Sequence, residues 1–144
     1  MKIKTKAFGE IEVSEKQKIH FVKGILGFED INYYYLLDND DTSPFYWLQA
    51  ENIPEIAFVI IDPIYVVSDY KLDIPSKELE DIEIKSKEEI LLFSIVTIYE
   101  KAEDITVNLL GPIVINKLNK KGKQVINQDD SYKIKHPLIK RGNE

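Results

Sequence analysis

Apolar and polar positions alternate along most of this chain. Ile3-Lys4-Thr5-Lys6-Ala7-Phe8-Gly9-Glu10-Ile11-Glu12-Val13 has period two with a break at Gly9, which predicts a hairpin. Further strands are predicted at 19–22, 33–37, 45–50, 57–62, 90–99, 105–109, 112–116 and 123–126, separated by Gly, Pro, Asn and Asp clusters. Many short strands with close turns point to an all-β sandwich or a small closed barrel.

Helical signals are few. Residues 75–82 offer Ser76 as an N-cap, acids in the first turn, and Leu79 three positions before Ile82, enough for one or two turns. A second turn is expected near Gly27-Phe28-Glu29-Asp30-Ile31. Length suits one domain over 1–144, with Lys140 to Glu144 expected to fray. No internal repeat or linker divides the chain.

Composition narrows the chemistry. The chain has no Cys, which removes disulfides, thiolate metal sites and cysteine nucleophiles. Without a secretory signal or a run long enough to span a bilayer, a soluble cytoplasmic protein is expected. Charge is segregated: residues 29–116 carry five Lys against nineteen acids, whereas residues 1–28 and 117–144 are net basic. An acidic middle suits a basic protein partner and opposes a broad nucleic-acid surface.

Candidate catalytic groups do not assemble in the sequence. His20 and His136 lack partners at metal-binding spacing, so no metal or cofactor is expected. Asp38-Asn39-Asp40-Asp41 begins like a calcium loop, but Ser43 and Gln49 stand where that loop needs Gly and Glu. Neither a phosphate-cradling Gly loop nor a nucleophile elbow is present. Two aromatic stretches have alternating faces. Tyr34 points opposite to Tyr33 and Tyr35, and Phe45, Trp47 and Gln49 share a face opposite Tyr46 and Leu48.

An ordered set of segments resembles the flagellar assembly factor FliW family over nearly the whole chain. They are His20-Phe21 through Gly24-Ile25-Leu26-Gly27-Phe28, Ser43-Pro44-Phe45 with Leu48-Gln49, Phe58 to Pro63, and Asp69-Tyr70. Asn108-Leu109-Leu110-Gly111-Pro112-Ile113-Val114-Ile115-Asn116, Gly122-Lys123-Gln124-Val125, and Tyr132 ahead of His136-Pro137-Leu138 complete the set. Gly111 departs from the family, which more often has Ala there. Asn108 and Asn116 suit strand ends, and Lys117, Lys120, Lys121 and Lys123 are expected in a solvated loop.

The resemblance implies a compact, mostly antiparallel β pseudo-barrel with one or two short helical turns. It also implies regulatory binding without catalysis: a cytoplasmic protein that binds flagellin and antagonises the translational repressor CsrA, so that flagellin level sets flagellin translation. A monomer is expected. For CsrA, a basic RNA-binding protein, the acidic block supplies a contact at Asp69, Tyr70, Asp73, Glu78, Glu80, Asp81, Glu88 and Glu89. For flagellin, Phe45 and Trp47 beside a strand edge are the candidates. The competing readings are a small-barrel hydrolase and an RNA-binding module with Tyr132 as a stacking platform.

Overall fold

The period-two pattern becomes a closed barrel. A computed structural model describes residues 1–38 and 43–139, so Asn39, Asp40 and Asp41 of the calcium-like stretch and the 140–144 tail lie outside it. The described strands are β1 (Lys2–Thr5), β2 (Gly9–Glu12), β3 (Lys18–Phe21), β4 (Tyr33–Asp38), β5 (Phe45–Ala50) and β6 (Ala57–Ile61). They continue with β7 (Ile90–Thr97), β8 (Thr106–Val107), β9 (Ile113–Asn116), β10 (Lys121–Gln124) and β11 (His136–Pro137). One short helix, α1 (Ser76–Glu80), lies in the connection from β6 to β7.

Hydrogen-bonded neighbours run β3-β4-β5-β6-β7-β9-β10, and β10 pairs back to β3. Seven strands therefore close on themselves, antiparallel throughout except for the parallel β3–β10 pair. Closure depends on the length of β7. Its first half pairs with β9 through Ile90↔Asn116 to Phe93↔Ile113, while Val59↔Val96 to Ile61↔Ser94 joins its second half to β6. β8 lies beside that second half and carries β11.

Alternation sends one side chain in two into the barrel. Ile19, Phe21, Tyr34, Leu48, Ala50, Ile60, Phe93, Ile113 and Ile115 form the interior, joined by Ile25. Burying a side chain of this size stabilises the fold by about 1.5–3 kcal/mol before conformational entropy is counted. Tyr34 is fully buried with no hydrogen-bond partner for its hydroxyl among the described residues, and burial pushes its pKa up to about 12. Tyr35 faces the other way, under the β1–β2 hairpin with Ile3, Val13 and Leu37, while Tyr33 is exposed and stacks on His20 at 4.9 Å.

Several local expectations are corrected. Ser76 is the first residue of α1 and not its cap; Pro75 holds that position, and no side chain caps the helix. The 27–31 stretch forms successive turns, with Phe28 N donating to Ile25 O and Ile31 N to Phe28 O, without a helix. Gly24 fixes this corner at φ +70°, where an added Cβ would lie 2.6 Å from the Glu29 backbone. The 105–109 run keeps only two strand residues, because Asn108 turns away: its Oδ1 accepts from Gly111 N at 2.8 Å.

Candidate functional site

The acidic block occupies the long connection from β6 to β7, which is fastened to the barrel from both ends. At its start, the buried Tyr70 hydroxyl donates to Leu109 O at 2.6 Å and accepts from Asn127 Nδ2 at 3.2 Å. Asn127 also donates to Lys71 O and accepts from Asp73 N, so one buried amide holds both sides of the 71–73 backbone. Farther on, fully buried Ile82 packs with Val114 and Val125, and its carbonyl accepts from Asn116 Nδ2 at 2.9 Å. Glu83 follows with φ 61°, the left-handed turn that often ends a helix, here without the usual glycine.

Beneath α1 lies a cation the sequence reading put in solvent. Lys123 is 2% exposed, and its Nζ lies 2.9 Å from Glu78 Oε2 and 2.8 Å from Asp81 Oδ2. Burial works against this charge, but the hydrogen bonds it donates to Asp81 and Glu78 outweigh that and hold the ammonium above its ordinary value. Asp81 is held below the usual carboxylate range by Lys123 first and by Lys23, 3.2 Å away, second. The error has a readable cause: in a strand, Lys123 and Val125 share a face, and Val125 is buried. Of the four lysines placed in the loop, Lys117 is exposed, Lys120 and Lys121 are half-buried, and Lys123 is interior.

The eight acidic-site candidates therefore divide. Asp69, Asp73, Glu80 and Glu88 are exposed; Glu78 and Asp81 face Lys123; Tyr70 is buried and anchors the segment without presenting its ring. Glu89 is half-buried, accepting from Lys85 N and Ser86 Oγ. Asp81, which caps the end of α1, faces Lys123, whereas the adjacent Glu80 is exposed. Residues missed from sequence are Lys123, Lys23 and Asn127, each acting through a partner more than fifty positions away or across two elements.

Phe45 and Trp47 are both half-buried. Trp47 packs edge-on to Phe8 of the β1–β2 turn, with ring centroids 5.3 Å apart, and Phe45 packs on the cluster of Ile61, Tyr70 and Leu109. Gln49, on the same face, is buried and donates to Ile53 O and Ile56 O, shaping the β5–β6 turn. This face is thus covered by a hairpin, a loop and the acidic connection. Tyr132 is likewise engaged: its ring lies 4.5 Å from that of Tyr70 and its hydroxyl accepts from Lys71 N.

Among the described residues, no three His, Asp or Glu side chains gather as a metal-binding group, and no helix is long and apolar enough to cross a membrane. His20 is stacked on Tyr33, and His136 sits in β11, where burial lowers its pKa. Gly111 has a local explanation: a Cβ there would meet the side-chain amides of Asn108 and Gln124 at 3.2 Å, and Gln124 Nε2 donates to Gly111 O.

Fold and surface define a small closed β-barrel with an acidic connection strapped across its outside. The FliW protein family profile matches residues 2–138. The chain is 42% identical over 139 residues to the flagellar assembly factor FliW of Treponema denticola, covering 96% of this chain and 94% of that one. It is also 42% identical over 140 residues to that of Thermoanaerobacter pseudethanolicus, covering 96% and 93%. A crystal structure of the flagellar assembly factor FliW superposes with TM-score 0.88 at 38% identity, covering 97% of this chain and 98% of the other. The chain belongs to the FliW family of flagellar assembly factors.

Proposed function

We propose that this protein acts in the cytoplasm as a monomer without catalysis, binding flagellin and, when flagellin is exported, capturing the translational repressor CsrA. The observation that carries this reading is the family match over residues 2–138. The acidic connection supports it physically. Asp69, Asp73, Glu80 and Glu88 present carboxylates to solvent on a segment anchored by Tyr70, Ile82 and Lys123. A basic RNA-binding protein docked there would have its RNA repelled by the same field. Glu78, Asp81 and Glu89 contribute to that field while serving the fold.

Calorimetric titration with flagellin and with CsrA, each alone and then with the other already bound, tests the reading. Mutual exclusion is the expected result; binding to neither partner would overturn it. Reversing Asp69, Asp73, Glu80 and Glu88 to Lys is expected to weaken CsrA binding at least about tenfold at low salt. The effect should shrink as salt rises, since the screening length is about 8 Å at physiological ionic strength. For flagellin, Phe45 and Trp47 are proposed to back the contact surface. If Trp47→Ala keeps its fold and its flagellin affinity, Trp47 plays no part in the contact.

A further inference from the structure

Among the described residues, the barrel wall has a seam at β7. There β7 is paired on both sides only over its second half; along Ile90–Phe93 the β9 side is paired and no described strand pairs on the β6 side. The register explains the opening. Lys117 N donates to Glu89 O, so Leu91 and Phe93 turn their N–H and C=O groups toward β9 while Leu92 turns its pair the other way. In the β6–β7 register the residue opposite Leu92 is Pro63, which has no N–H to give. The Pro63 carbonyl is already taken by Val66 N and Val67 N of the turn that follows.

Beside this edge lies a groove of about 570 Å³. Tyr46 and Phe93, in edge-on contact at 5.2 Å, belong to its lining, and Ile64 and Tyr65 form a rim that is 53% and 72% exposed. Asp38 and Asp62 add negative charge and Lys117 a positive one. A free main-chain edge demands an extended backbone, the apolar lining demands apolar side chains, and the two carboxylates favour a cation.

We propose that this seam receives an extended apolar segment of the client polypeptide, added as a strand to β7 at Leu92, with a lysine or arginine directed to Asp38 and Asp62. The inference rests on the flagellin-binding reading above and adds to it a contact on the Tyr46 side of β5, opposite Phe45 and Trp47. A strand of about four residues spans some 13 Å at the usual rise, enough to cover Ile90–Phe93.

The test is titration of the isotope-labelled full chain with monomeric flagellin, read by amide hydrogen exchange at Leu92, beside calorimetry of the Ile64→Asp/Tyr65→Asp variant. Both rim side chains are exposed, so the variant is expected to fold, and its melting curve checks that. The expected result is at least about tenfold slower Leu92 exchange in the complex and at least about tenfold weaker flagellin binding by the folded variant. Equal binding by both proteins with unchanged Leu92 exchange overturns the seam and leaves the flagellin reading standing. No flagellin binding by the wild-type chain overturns both. A doubled mass in light scattering, with Leu92 protected in the absence of flagellin, assigns the seam to a second copy and overturns the proposal.

Discussion

Acids that look alike in the sequence have two fates in the β6–β7 connection. Glu78 and Asp81 turn toward Lys123 and close the connection onto β10, whereas Asp73 and Glu80, a few residues away, face solvent. The first pair holds the segment in place; the others stand in solvent. Negative charge on this surface is therefore partly a fastening and partly a display, and only substitution separates the two.

Removing the fastening gives the largest effect. Lys123→Met strands two carboxylates beside an apolar strand face, and breaking a buried ion pair costs about 3 kcal/mol where the anions keep some solvent. Urea unfolding at neutral pH measures it, and an unmoved midpoint would mean that Lys123 is incidental. Acid offers a second view of the same contact. Because Asp81 is held below its ordinary 3.8, its contribution is present above that value and is lost as pH falls through its lowered folded value. The stability gap between wild type and Lys123→Met is therefore expected to narrow across that acid window. A constant gap would show that Asp81 does not depend on Lys123.

A smaller effect of opposite sign is expected inside the barrel. Lys123 is a buried polar group with its partners supplied, whereas the Tyr34 hydroxyl is buried with none. Tyr34→Phe removes an unsatisfied group at little cost in shape and is expected to be neutral or to stabilise by up to about 1 kcal/mol. A loss of stability would show that the hydroxyl makes a contact, through water for example.

The barrel was legible because alternation is local: β5 is predicted residue for residue, and the β1–β2 turn, residues 6–8, ends at Gly9, the first residue of β2. The partnerships of the site were not, because they join positions distant in the chain. Asp81 meets Lys123 across 42 residues and Asp73 meets Asn127 across 54. Charge runs mark the β6–β7 connection as acidic without saying which of its acids pair with a lysine. β11 escaped for a different reason: it has two residues, one of them proline, and exists only because β8 offers an edge.

The smallest expected effect on stability is the most informative about function. Asp73→Asn with Glu80→Gln removes displayed charge, keeps side-chain size, and leaves Glu78, Asp81 and Lys123 in place. The unfolding midpoint is expected to stay where it is, because neither carboxylate faces the buried lysine. Affinity for CsrA is expected to fall by several-fold at low salt, with the difference fading as salt is added. A shifted midpoint would mean that the displayed acids also fasten the connection. Unchanged affinity with an unchanged midpoint would leave the display without a reader at these two positions, and the search would move to Asp69 and Glu88.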